Sequence, residues 1–396
     1  MMRKKANLFV MSVVFLTMLI GTSLISAAEV GVTDTTIKIG WVGDLTGPIA
    51  TAGKPLNAGI KLYAKYINDK GGINGRKIII LTENDTYSPT QTVASAKKLI
   101  ERDKVFCMVG NMGTHTTASI IPLIQKTKTP LLFPGTASAT LHQPPKKYLF
   151  SIFSTYETEA RVHADYIAAT IDDPKVFVLY MDTGLGKSCR VALRDQLNNY
   201  GIDILEEVSH KPRTVDYSSH ALKAYQAKAN VVGIYSVSMP VGRFVKECQK
   251  LNYKPQFLLI SPEYSDELLE LAGDVLEGAV GTIVNPLVTA RDKQVLEYRE
   301  VAKKYYPGRT PQLAEMSGYF MLKTASVAIE KCGRDLTREK LIEVLETFKN
   351  YDSGGFGQLT YSPTRRIGAD KVQIYVIKDK RYKYLVPGWH NYKNFD

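Results

Sequence analysis

From Thr36 onward, short apolar runs alternate with stretches in which apolar residues recur every three or four positions. Runs at 36–42, 77–81, 105–109, 130–133 and 148–153 predict strands, because a strand covered on both faces reads as a nearly continuous apolar segment. Between them, 55–68 sets Leu56, Ile60, Tyr63 and Ile67 on one helical stripe, and 90–100 does the same with Val93, Ala96, Lys97 and Ile100. Gly71-Gly72-Ile73-Asn74-Gly75 stops the first helix and turns the chain into the second strand. The rhythm restarts with helices at 157–170, 187–199 and 242–251 and strands at 176–180, 202–208, 231–237 and 257–260. The pattern predicts an α/β chain with two successive doubly wound parallel sheets. Helical patterns then fill 292–349, and a last strand at 372–377 closes the chain. A mostly helical block cannot build its own sheet, so it is expected to dock back across both units.

The chain opens with Arg3-Lys4-Lys5, an apolar run from Leu8 to Ile20, and Ser26-Ala27-Ala28 before Glu29. This is the layout of a signal peptide over 1–28, cleaved after Ala28, and it predicts a periplasmic protein. The apolar run is short for a bilayer span, so no stable membrane insertion is expected. The remaining chain of roughly 370 residues is longer than one hydrophobic core usually supports, which again calls for two domains. The formal charge is +12, and loss of the three leader cations leaves +9. Those cations are scattered among carboxylates, whereas nucleic-acid binding would gather them in a patch, so no nucleic acid is expected as partner. Cys107, Cys189, Cys248 and Cys332 show no CxxC spacing, which leaves buried thiols or disulfides open and gives no metal site.

Several segments, in this order and spacing, resemble a known family. They are Gly43-Asp44-Leu45-Thr46-Gly47-Pro48, then Ile67 to Gly75 with its Gly-Gly-Ile-Asn-Gly turn, Val109-Gly110 ahead of a Thr-rich helix start, and Pro134-Gly135-Thr136-Ala137. The family is the type I periplasmic binding proteins, in the branch that includes the leucine/isoleucine/valine-binding protein. The resemblance implies two lobes joined by three crossovers that close by hinge motion on a ligand held between them. Lobe one is then 35–155 plus 286–365, and lobe two is 156–285 plus 366–396. It also implies a small-molecule ligand, membrane subunits of an ABC importer as partners, a monomer, and no cofactor.

Ligands of open α/β sheets sit beyond the carboxyl ends of the strands. Gly110 to Thr117 occupies such a place, between the strand at 105–109 and a helix at 118–125. Free N–H groups, a positive helix end and a hydroxyl there make a carboxylate cradle, with Thr114 as the hydroxyl the resemblance selects and Asn111 and Gly113 beside it. Alternatively, Thr114 is an ordinary helix N-cap. The facing loop is Gly135, Thr136, Ala137 and Ser138; the family's threonine contact falls on Ala137, and Thr136 or Ser138 could supply the hydroxyl instead. In lobe two the family's polar aromatics fall on Leu185 and on Val237 or Ser238. Its acid for the ligand ammonium falls on Glu263, or on Ser261 when aligned without a gap. Trp41 could touch the ligand or serve as packing. The family's lobe-one disulfide positions fall on Tyr87 and Gly113, so that bridge is not expected.

No GxSxG elbow, HExxH, P-loop or strand-coupled GxGxxG occurs, and the six histidines lack metal-ligand spacing, so no enzyme is expected. The reading is therefore a solute-binding protein for a carboxylate-bearing ligand, an amino acid or an aromatic or aliphatic acid. A ligand-sensing module of the same fold that docks on a separate signalling protein is the other reading.

Overall fold

A computed structural model of the chain describes residues 29–391, so the expected leader lies outside the described residues. The elements follow as β1 Thr36–Gly43, α1 Ala50–Asp69, β2 Lys77–Asn84, α2 Pro89–Lys97, β3 Cys107–Val109, α3 Thr114–Thr127, β4 Leu131–Leu132 and β5 Leu149–Phe150. Next come α4 Tyr156–Thr170, β6 Val176–Met181, α5 Gly184–Asn198, β7 Ile204–His210, α6 Ser218–Gln226, β8 Val231–Tyr235, α7 Ser238–Lys250, β9 Gln256–Leu259, α8 Asp266–Ala272 and β10 Val280–Ile283. Last are α9 Lys293–Tyr305, α10 Leu313–Lys331, α11 Arg338–Glu346, β11 Tyr351–Asp352, β12 Gln358–Leu359, β13 Val372–Lys378 and β14 Arg381–His390.

The strands form two main sheets. The first runs β2-β1-β3-β4-β5 and is parallel throughout; the second runs β14-β13-β10-β9-β8-β6-β7. In the second sheet the strands from β7 to β10 are parallel, and β13 and β14 are added antiparallel. The strand expected at the chain's end is therefore half of a hairpin. Arg381 to Tyr384 alternates charged and aromatic side chains and most of the strand is exposed or half-buried, because β14 is an edge strand with one wet face. At the other extreme, β8 reads Val-Val-Gly-Ile-Tyr and every residue is buried, as a central strand covered on both faces requires. The chain passes from the first sheet to the second between β5 and α4, returns after β10, and crosses again between β12 and β13.

The helical block divides between the sheets. Helix α10 packs along α1 on the first sheet, while the β13–β14 hairpin extends the second. The crossing of α1 and α10 is close because each helix offers a glycine to the other's backbone. A Cβ on Gly59 would stand 1.7 Å from the Glu315 carbonyl oxygen, and one on Gly318 would stand 2.0 Å from that of Leu56. All four cysteines are buried and unpaired, which decides in favour of thiols.

Candidate functional site

The turn after β1 is built around Asp44, which is fully buried. Its carboxylate accepts from the backbone N–H of Thr46 at 3.0 Å, of Ile49 at 2.8 Å and of Gly47. A Cβ on Gly53 would lie 1.9 Å from the Asp44 carbonyl oxygen, so the first turn of α1 can pass only as glycine. The Gly-Asp-Leu-Thr-Gly-Pro segment is thus a rigid turn that seats α1 at the end of β1.

The loops after β3 and β4 are joined side by side. Gly135 donates to the Asn111 carbonyl at 2.6 Å, Gly113 donates to the Gly135 carbonyl at 3.3 Å, and Met112 pairs with Gly135 as a parallel bridge. Gly113 is the N-cap of α3 at φ +98°, a conformation that favours glycine, and no side chain caps the helix. Thr114 is therefore the first residue of the helix and not its cap. Its hydroxyl instead meets the Thr136 hydroxyl at 2.7 Å, so the two loops bring the two hydroxyls together. The capping role expected as the alternative is absent, and the positive end of a helix of 14 residues is left beside the hydroxyl pair.

Tyr87 and Gly113, where the resemblance places a disulfide, are still in contact. A Cβ on Gly113 would come within 2.5 Å of the Tyr87 ring, whose other neighbour is His115 with ring centroids 4.3 Å apart. A phenol ring laid on a glycine fills the place of the bridge.

The remaining lobe-one candidates occupy three depths. Thr136, Ala137 and Ser138 are nearly buried, with Ser138 turned to the Thr140 hydroxyl at 2.9 Å. Asn111 is fully buried and donates to Thr117 Oγ1 at 3.0 Å, while its Oδ1 has no partner. Trp41 is fully buried too, with its ring against Gly43, which places it in the core beneath the strand ends. Sequence reasoning missed Tyr156. Its backbone N–H donates to the Ala137 carbonyl at 3.1 Å, and its side chain is buried. Burial above all keeps that phenol protonated. Its only signal in the sequence is position: it is the first helical residue after the Thr155 cap that opens the second unit.

Across in the second sheet, helices α5 and α7 begin at the carboxyl ends of β6 and β8, and neither has a side-chain cap. Leu185, in the first turn of α5, is half-buried. Ser238, the first residue of α7, turns its hydroxyl to the carbonyls of Pro262 at 3.5 Å and Glu263 at 3.3 Å. Glu263 is fully buried, and its two oxygens accept from the backbone N–H of Ser236 at 2.7 Å and of Ile260 at 2.9 Å. Both oxygens are thus engaged within the lobe. Burial, opposed by those two N–H bonds, pushes its carboxyl well above the usual range. Close by, buried Glu159 accepts from Ser261 N and Oγ, both at 2.7 Å, and from Thr282 Oγ1 at 2.9 Å. Burial lifts the Glu159 carboxyl to about 7 against those hydrogen bonds. His163, 3.3 Å from the same Thr282 hydroxyl, is pushed down to about 3 by burial. These polar groups brace the loop after β9 and place no free carboxylate at its surface.

Among the described residues no group of His, Cys, Asp and Glu could hold a metal ion, and no helix is long and apolar enough to cross a membrane. A model of the periplasmic binding protein family matches residues 36–381. The Leu/Ile/Val-binding protein homolog 3 of Brucella melitensis is 24% identical over 345 residues, covering 86% of this chain and 90% of that protein. A Thermus thermophilus branched-chain amino acid ABC transporter structure with bound valine superposes with a TM-score of 0.82 at 20% identity, over 91% of this chain and 97% of that one. A Rhodopseudomonas palustris solute-binding protein of an ABC transporter, in complex with 3,4-dihydroxybenzoic acid, gives 0.79 at 21% identity, over 90% and 97%.

Proposed function

We propose, for a chain that belongs to the periplasmic binding protein family, that it captures a small carboxylic acid between its two lobes and hands it to the membrane subunits of an ABC importer. The observation that carries this reading is the Thr114–Thr136 hydroxyl pair, 2.7 Å apart at the uncapped start of α3. A carboxylate docked there takes hydrogen bonds from the hydroxyls and from first-turn N–H groups at the positive end of the helix. Valine and 3,4-dihydroxybenzoic acid, the ligands of the two similar solved proteins, share one group, the carboxylate, and only valine has an ammonium.

The second lobe sharpens the choice. Glu263 is fully buried with each oxygen accepting from a backbone N–H, so the acid that the resemblance assigns to a ligand ammonium is held inside the second unit and not presented to one. The ligand is accordingly recognised as an acid, and an α-amino group is not required. The lobes take the bounds given by the resemblance, 35–155 plus 286–365 and 156–285 plus 366–396, and the mature protein acts as a monomer in the periplasm after cleavage following Ala28.

The test is a thermal-shift screen of the mature chain over amino acids, aromatic acids and aliphatic acids, each paired with its primary amide. A ligand present at a hundred times its dissociation constant stabilises by about 2.7 kcal/mol. At least one acid is expected to raise the melting temperature while its amide does not. Equal stabilisation by acid and amide would refute a carboxylate cradle.

A further inference from the structure

A cavity of about 240 Å³ lies where two of the segments that cross between the sheets meet a loop of the first. Its walls include His142 from that loop, Thr155 and Thr158 at the start of α4, and Arg365, Arg366 and Asp370 from the crossing that leads into β13. None of these residues belongs to the hydroxyl pair or to the loops after β6, β8 and β9. The cavity is therefore a separate place in the molecule.

Two arginines and one carboxylate, Arg365, Arg366 and Asp370, line it. Arg366 is buried and donates to Glu346 Oε1 at 2.7 Å, and Arg365 reaches Asp370 Oδ2 at 3.3 Å. Lys146, four residues after His142, donates its ammonium to the carbonyls of Leu141 at 2.7 Å and Pro144 at 3.2 Å, and no carboxylate pairs with it among the described residues. Lys146 does not line the cavity, yet its ammonium is close enough to disfavour a charged His142 imidazole, so its field reaches the wall that His142 forms. His142 is 2% exposed, and neither of its ring nitrogens has a partner. A buried polar group without a partner is disfavoured, and an occupant of the adjoining cavity is the nearest source of one.

We infer that this hinge-side cavity binds a small oxyanion, a carboxylate or a phosphate, held by the Arg365 guanidinium and an imidazole N–H of His142, with the Lys146 ammonium adding attraction from behind that wall. The occupant touches two segments whose torsions must change when the lobes move, so it is placed to bias that motion. Burial first, and then Lys146, keeps the imidazole neutral by pushing it down to about 3. An anion at the ring favours the imidazolium, so binding takes up a proton and tightens as pH falls.

Inorganic sulfate is the probe, because its charge is constant from pH 5 to 8, and the cleft ligand is not needed. In the mature chain, sulfate is expected to move the His142 ring signals in a proton NMR titration and to bind more tightly at pH 5 than at pH 7. Arg365→Gln, at a half-buried lining residue apart from the Arg366–Glu346 pair, is expected to weaken sulfate at least tenfold, and Lys146→Met to weaken it severalfold. Tighter binding of phosphate than of succinate assigns the phosphate form, and the reverse assigns the carboxylate form. A response matched by sodium chloride at equal ionic strength, or unchanged in both variants, overturns the site. Because no cleft acid enters the experiment, its failure leaves the proposed function untouched, and the reverse holds as well.

Discussion

In the proposed reading, Thr114 serves ligand recognition and Glu263 serves stability, and variants at the two residues separate these roles. Thr114→Val keeps the shape of the side chain but removes a donor from a charged acceptor, a loss of about 1.5–3 kcal/mol or roughly 10- to 150-fold in affinity. Because Gly113 and not Thr114 caps the helix, folding stability is expected to change little; calorimetry with the acid found in the screen, alongside urea unfolding, checks both halves. Glu263→Gln reverses the pattern. The amide nitrogen would face one of the two N–H donors now satisfied, which destabilises by about 1–3 kcal/mol while leaving acid affinity nearly unchanged. A large affinity loss in Glu263→Gln would mean that the carboxylate serves a ligand ammonium after all. Glu159 supplies a pH signature of its own. Its folded-state carboxyl titrates near 7, above the ordinary 4.5, so the native state holds a proton that the unfolded chain has released between those values. That contribution to stability is complete below about 4.5 and is lost as pH rises through 7, with a slope of at most about 1.4 kcal/mol per pH unit. Buried His163, pushed down to about 3, works in the opposite sense below 6.5, so the parent alone does not isolate the effect. The stability of the parent minus that of Glu159→Gln is expected to grow as pH falls from 7 to 4.5. A flat difference would show that Glu159 is ionised throughout.

Elements differ in how openly the sequence declares them. The central strands were legible because burial on both faces forces apolar runs: the run at 105–109 contains β3, and that at 231–237 contains β8. Strand β10 escaped notice because only four residues, Val-Gly-Thr-Ile, carry it. Helix α6 hid in Ser-Ser-His-Ala-Leu-Lys-Ala-Tyr-Gln, where only Ala221 and Ala224 are buried. Helix α3 begins four residues earlier than its apolar stripe suggests, since Thr114, Thr116 and Thr117 make their contacts through hydroxyls. The candidate site followed the same logic. Backbone-driven features, the helix start and the two loops, were readable, whereas the Ser236 contact of Glu263 and the approach of Tyr156 to the Ala137 loop depend on tertiary contacts that no local pattern encodes. The docking of α10 on α1 is such a contact, and Gly318 tests it. Gly318→Ala puts a methyl 2.0 Å from the Leu56 carbonyl oxygen, so the helices must part, at a cost of about 1–3 kcal/mol. A parental urea midpoint in that variant would show that the crossing is looser than described.

At the scale of the whole molecule, two sheets linked by three crossings leave few segments to absorb a change in their relative orientation. If ligand capture closes the lobes, small-angle scattering of the mature chain with a saturating acid is expected to show a smaller radius of gyration than the free protein. The Thr114→Val variant should need proportionally more acid for the same compaction. No decrease at saturation would argue against a hinge that closes on the ligand. The most direct test is a crystal structure of the mature chain with the acid that raises its melting temperature most. The account predicts the ligand carboxylate within hydrogen-bond distance of the Thr114 and Thr136 hydroxyls at the start of α3, with no ligand atom on either oxygen of Glu263. A ligand bound between the lobes with its carboxylate elsewhere, or held by Glu263, would contradict it.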